Sequence, residues 1–242
     1  MKKLLIATTL LASTTLANAA DIARPVNPPI LDTWSWSGFY VGTMWGGGWD
    51  STSNDLNGYG YQVSAPTNGK GVLAGIYGGY NQQFANWVVG LETDIAWSNI
   101  KGSTSMGGHL DTDNGSVPWA VEGSNKLKWL GTTRARLGYA FGHFMPYATA
   151  GVAYGGTSID GVGVLGSSSV NASFAEHFSA SNTRVGWAAG GGLEYAMGQM
   201  LMRMEYLHYD LGTSKYAMGD PNITLSTHHR GDTVKVGAGF KF

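Results

Sequence analysis

The stretch NWVVGLETDIAW, residues 86–97, sets Trp87, Val89, Leu91, Thr93, Ile95 and Trp97 on one parity and Val88, Gly90, Glu92, Asp94 and Ala96 on the other. A period of two belongs to an extended strand, whose successive side chains point to opposite faces. A strand that keeps its tryptophans apart from its acids lies between two unlike surroundings, and the rest of the chain says which they are.

The same alternation recurs along the sequence. Eight segments carry it, at about 36–48, 70–81, 86–98, 126–140, 144–156, 183–197, 199–211 and 232–242, and no sustained run has helical spacing. Each is about ten to fifteen residues long, enough for a tilted strand to cross a bilayer. The stretches between them alternate: 49–69, 99–125, 157–182 and 212–231 are long, whereas 82–85, 141–143 and 198 are short. Long loops at one end and tight turns at the other, with an even number of strands, predict an all-β fold. It is an eight-stranded antiparallel up-and-down transmembrane β-barrel with four long outer loops and short periplasmic turns.

That prediction requires one parity to meet lipid and carry no charge. In 126–140, Leu127, Trp129, Thr133, Ala135, Leu137 and Tyr139 share one face and Lys126, Lys128, Arg134 and Arg136 the other. In 183–197, Val185, Trp187, Ala189, Leu193 and Tyr195 oppose Arg184 and Glu194; in 199–211, Met200, Met202, Met204 and Tyr206 oppose Arg203 and Glu205. The last segment sets Val234, Val236, Ala238, Phe240 and Phe242 against Lys235 and Lys241. The polar parity also carries Gly42, Gly46, Gly75, Gly79, Gly90, Gly138, Gly186, Gly190, Gly192, Gly237 and Gly239. An eight-stranded barrel is only wide enough inside for side chains to fill it, and charges buried there must be paired. The expected lumenal network is therefore Glu92, Asp94, Arg134, Arg136, Arg184, Glu194, Arg203 and Glu205, with Arg134 and Arg136 facing Glu92. Trp45, Trp87, Trp97, Trp129, Tyr139, Tyr154 and Tyr206 lie toward the ends of the apolar faces, as aromatic belts at two interfaces do.

The N-terminus, MKKLLIATTLLASTTLANAA, has a positive start, an apolar stretch and small residues before a cleavage position. It reads as a secretory signal peptide over residues 1–19, cut after Ala19, followed by a Pro-containing periplasmic segment at 20–33 and the barrel at 34–242. There are no cysteines, which excludes disulfides, thiol chemistry and a lipid-anchored N-terminal Cys. Charged residues make up 13% of the chain, and the 15 basic residues fall to 13 against 16 acidic ones once Lys2 and Lys3 leave with the leader. A nucleic-acid partner is not expected from such a balance.

Together the strand motifs WSGFYVG (36–42), WLGTTRARLGYAF (129–141), MPYATAGVAYGG (145–156), TRVGWAAGGGLEYAM (183–197), MRMEYLHYDLG (202–212) and DTVKVGAGFKF (232–242) resemble the outer-membrane immunogenic porin-like proteins of alphaproteobacteria, within the small OmpA-like barrel superfamily. The resemblance covers nearly all of the mature chain except the long loops. It implies a surface antigen of the cell outer membrane that supports envelope integrity, with haemin binding in some relatives. The partners it implies are outer-membrane lipids, lipopolysaccharide and the outer-membrane assembly machinery. The C-terminal aromatic strand, with Phe240 and Phe242, is similar to the signal by which that machinery selects its clients.

Candidates for chemistry are few. His109, His177, His228 and His229 fall in the expected outer loops, where imidazoles are able to ligate haem iron; solvated loop residues are the preferred reading, with the adjacent His228–His229 pair the one combination to examine. His208 and Asp210 share a parity at the outer end of the seventh segment, within reach of a lipid headgroup, but no serine is tied to them by a motif. DTDNGSVPWAVE at 111–122 departs from a calcium loop, with Gly115 and Ser116 where Asp/Asn and Gly are needed. The leading expectation is a non-enzymatic structural barrel without cofactor or metal. A haemin or small-solute receptor or narrow porin comes second and a lipid-modifying barrel enzyme third.

Overall fold

A computed structural model describes residues 34–58, 61–112, 115–166, 173–218 and 220–242, with some side chains near the hairpin tips excepted. Its eight strands are β1 (Gly38–Gly58), β2 (Tyr61–Phe84), β3 (Trp87–Thr112), β4 (Gly115–Tyr139), β5 (Phe144–Gly166), β6 (Ser173–Met197), β7 (Met200–Met218) and β8 (Asp220–Lys241). Each pairs antiparallel with its sequence neighbour, and β1 pairs with β8 to close the barrel. The expected fold is the one formed. Closure joins β1 to β8, so the membrane-crossing part of the sheet has no free edge and its backbone groups pair along the ladders.

The strands run from 19 to 26 residues, well beyond the segments marked by alternation. The stretches 49–69, 99–125, 157–182 and 212–231, expected as long loops, are largely strand, paired as far out as Gly58↔Tyr61 and Thr112↔Gly115. The physical reason is that alternation reports two unlike surroundings. Past the apolar belt both faces of a hairpin meet water, so the pattern fades while backbone pairing continues. At the opposite end the connections are tight, at 85–86, 140–143 and 198–199, where Gly198 takes a φ of 60°. Both described termini, Trp34 and Phe242, lie at this turn end; Phe242 donates its amide to the Phe39 carbonyl at 2.9 Å.

The outer surface carries a continuous apolar belt that includes Val41, Ile76, Val89, Leu91, Ile95, Val152, Leu193, Met202, Met204 and Val236. Leu91 is 65% exposed and Glu92, the next residue, 2%. A soluble monomer rarely exposes an apolar patch larger than a few hundred Å², and this one circles the molecule. Aromatic rings bound it on both sides. Phe39, Tyr80, Phe84, Trp87, Phe141, Phe144, Tyr195, Phe240 and Phe242 lie toward the turns, whereas Trp45, Trp97, Trp187 and Tyr206 lie toward the hairpins. Trp87 and Trp97 stand ten positions apart on β3, roughly 25 Å along the barrel axis for a tilted strand, the height of an outer-membrane apolar band.

Two local departures on β3 and β4 change which of their residues face out. β4 shifts register against β5 between Leu127 and Trp129, and β3 against β4 between Trp97 and Ile100. An extra residue in a strand reverses the parity beyond it. Leu127 is therefore buried, and Lys126 and Lys128, expected toward the lumen, are exposed on the outer surface. Trp36, expected as the first strand residue, precedes β1 and is buried at the turn end. Its indole Nε1 donates to the Gly142 carbonyl at 2.9 Å and its amide to Gln83 Oε1 at 2.7 Å. With Val88, Met145, Ala196 and Leu201 it belongs to the buried apolar core.

Candidate functional site

Above that apolar floor the lumen is charged. Inward parity places Glu92 and Asp94 on β3, Arg134 and Arg136 on β4, Glu194 on β6, Arg203 and Glu205 on β7 and Lys235 on β8, all buried. Glu92 lies directly opposite Arg134 in the β3–β4 ladder. One oxygen of Glu92 meets Arg134 Nη2 at 3.0 Å; the other meets Arg136 Nη1 at 3.1 Å and Arg203 Nη2 at 2.5 Å. Arg134 also reaches Asp94 at 2.7 Å and Glu205 at 3.1 Å. Arg136 reaches Glu194 at 3.0 Å, and Arg203 bonds Glu194 through Nε at 2.9 Å. Lys235 closes the set with Glu205 at 3.0 Å and Asp94 at 3.8 Å. Four cations face four anions, so the network is neutral as a whole, which is what a low-dielectric interior requires.

Tyrosines complete it. Tyr40 donates its hydroxyl to Glu92 at 2.9 Å and accepts from Arg136 at 2.7 Å, and Tyr147 donates to Glu205 at 2.9 Å. The Arg136 guanidinium stacks over the Tyr147 ring at 4.0 Å, and that of Arg203 over Tyr77 at 3.8 Å. Glycine makes room for these rings: a Cβ on Gly42 would lie 2.5 Å from Tyr77 Cζ and 2.5 Å from the Ala238 carbonyl oxygen. Sequence reasoning placed tyrosines in the outer belts and so missed Tyr40, Tyr77 and Tyr147, although each shares its parity with lumenal residues. It also left out Lys235, which alternation had put on the polar face of β8.

The remaining candidates are dispersed. Arg184, expected in the central network, is buried at another level, where its Nη1 donates to the Thr227 carbonyl at 2.9 Å. His228 and His229 occupy opposite faces of β8. His229 is buried, with Nδ1 2.9 Å from Thr52 Oγ1, while His228, about one-third exposed, meets Thr213 Oγ1 at 3.0 Å and Asp210 at 3.3 Å. The two imidazoles thus do not converge on one axial site. The side chains of His109 and His177, and residues 1–33 with Ala19, lie outside what is described. His208 pairs with Asp232 at 2.9 Å rather than with Asp210, because cross-strand register places Asp232 opposite it. Among the described residues no group of three or more His, Asp and Glu is arranged to hold a metal ion.

Known proteins place this geometry. A family model described as outer membrane protein beta-barrel domain matches residues 6–242. The 31 kDa outer-membrane immunogenic protein of Brucella melitensis biotype 1 is 33% identical over 258 residues, covering 100% of both chains. The 25 kDa outer-membrane immunogenic protein of Brucella abortus biovar 1 is 30% identical over 246 residues, covering 98% of this chain and 96% of that one. The crystal structure of the outer membrane protein OprG from Pseudomonas aeruginosa is similar in fold at 17% identity, with a TM-score of 0.50 over 85% of this chain and 96% of that one. The exposed apolar belt is thus a lipid-facing surface, and the chain belongs to the outer membrane protein β-barrel domain family, among relatives of the alphaproteobacterial outer-membrane immunogenic proteins.

Proposed function

We propose that this chain is a closed, non-enzymatic structural barrel of the outer membrane, with its long hairpins outside and its termini and tight turns in the periplasm. The neutral ion-pair network across the lumen carries this reading. Eight mutually bonded charged groups and three tyrosines occupy the space a solute path needs, over a floor built around Trp36. An even strand count returns both ends of the barrel to one side, and the outer-membrane rule of short periplasmic turns and longer external hairpins sets that side as the periplasm.

In this reading residues 1–19 direct export and are removed at Ala19, 20–33 span the periplasmic approach, and Phe240 and Phe242 present the C-terminal strand to the assembly machinery. The two rings stack edge to face at 5.4 Å on the outer surface, open to a partner. His228 and His229, on opposite faces of β8, do not offer haemin a shared axial site.

Deleting the gene from its native host is expected to raise sensitivity to detergent at unchanged growth in plain medium, with full rescue by the intact chain. A deletion strain as resistant as its parent would contradict the structural role.

A further inference from the structure

The outer surface of β2–β4 carries a feature that the closed lumen does not explain. Lys70 lies directly opposite Lys101, and Lys101 directly opposite Lys126, in the paired ladders of three neighbouring strands. All three are exposed, as is Lys128, and none of the four has an ion-pair partner among the described residues. Like charges directly opposite one another on a sheet repel. The nearest acids on the same face, Glu122 on β4 and Asp160 opposite Ser124 on β5, stand further toward the hairpin tips and make no ion pair with the lysines. The repulsion along this row of three exposed lysines is relieved by an anion lying across it.

Four residues toward the membrane on β2 and β3 the surroundings change. Trp45, Ala74, Trp97 and Trp129 form one cross-strand row, in the hairpin-side aromatic belt that marks the interface. Between Trp45 and Trp97 a groove of about 520 Å³ opens on the lipid-facing surface, lined by Val72 and Ala74 and bordered by Ser98 and Asn99. The step from tryptophan row to lysine row is about 13 Å along the strand, longer than a lysine side chain, so it is a headgroup standing above the tryptophan row that would meet the ammonium groups. Across the strands the lysines span about 10 Å, wider than one phosphate. Apolar below and multiply basic above, the surface matches one kind of occupant.

We infer that this face is a binding site for a phosphorylated glycolipid of the outer leaflet, with its phosphates on Lys70, Lys101 and Lys126 and an acyl chain in the Trp45–Trp97 groove. The leaflet assignment rests on the proposed orientation, hairpins outward; the site itself does not. A bound lipid of this kind ties the barrel to the charged outer surface without any change in the lumen.

The test uses the full mature chain in phosphatidylcholine nanodiscs, whose two leaflets are alike, titrated with bis-phosphorylated lipid A, dephosphorylated lipid A or inorganic phosphate. The expected result is saturable binding of the bis-phosphorylated lipid alone. Its affinity should fall on the order of a hundredfold in the triple variant Lys70→Gln/Lys101→Gln/Lys126→Gln, and also fall when Ala74→Trp fills the groove. Retained heat-modifiable migration on gels shows that both variants are folded. Equal affinity of wild type and triple variant, or of the two lipid A forms, overturns the site; displacement by inorganic phosphate reduces it to an anion site and overturns the lipid. Orientation is read separately. The chain has no cysteines, so a single Ser53→Cys on exposed β1 should label with an impermeant maleimide on intact cells. Failure to label contradicts the orientation and leaves the nanodisc result standing.

Discussion

Replacing Glu92 by Gln is expected to lower the unfolding free energy of the membrane-inserted barrel by about 3–5 kcal/mol, the range seen when one partner of a buried ion pair is removed. Glu92 is the hub of the lumen, accepting from Arg134, Arg136, Arg203 and Tyr40 at once. Gln keeps the volume but removes the charge, so three guanidiniums are left sharing Asp94, Glu194 and Glu205, and the neutral network becomes cationic in a low-dielectric space. The double variant Glu92→Gln/Arg203→Gln restores neutrality and should be less destabilised than the sum of its single variants, with a coupling of about 0.5–3 kcal/mol. Urea unfolding from lipid vesicles, followed by tryptophan fluorescence, measures all three. A single-variant loss under about 1 kcal/mol, the scale of an exposed pair, would show that the network is not what fills the lumen.

Leu91→Arg gives the second large effect, from the other side of the same strand. Leu91 lies outward between Trp87 and Trp97 on β3, near the middle of the apolar band. An arginine at the midplane of a barrel's lipid face costs about 2–4 kcal/mol, because it must leave hydrocarbon or drag water in. The same change at exposed Ser53, on the outer extension of β1, should stay within about 0.5 kcal/mol. If the belt faced water, Leu91→Arg would behave like Ser53→Arg; equal values at the two positions contradict the lipid-facing assignment.

These two residues, Leu91 and Glu92, also show how much of the molecule was readable in advance. Parity alone separates lipid from lumen wherever the two sides differ, which is why strand number, closure and the inward parity of Glu92, Asp94, Arg134, Arg136, Glu194, Arg203 and Glu205 were legible in alternation. Alternation carries no information where both sides meet water, so the hairpin extensions past Trp49, Trp97 and Trp187 read as loops although they are paired strand. Nor does it reveal an inserted residue: Lys126-Leu127-Lys128 has the same pattern whichever way it faces, and only the register shifts beside Trp97 and Trp129 turn its lysines outward. Arg184 was read by sign and parity but not by height. It shares the inward face of β6 with Glu194, ten residues nearer the turns, too far along the barrel for the same network. The lysine row depends on register as well, since Lys70, Lys101 and Lys126 are distant in sequence and meet only through the pairing of three strands.

The central claim is that the lumen is closed, and planar-bilayer recording of the folded, full-length mature barrel tests it most directly. With insertion verified by heat-modifiable migration of the recovered protein, the network and the Trp36 floor predict no unitary current above the bare-membrane baseline at either polarity. Sustained ohmic steps from the wild-type chain, scaling with the number of inserted barrels, would show a continuous water path through Glu92, Arg134, Arg136 and Arg203, and would contradict the account.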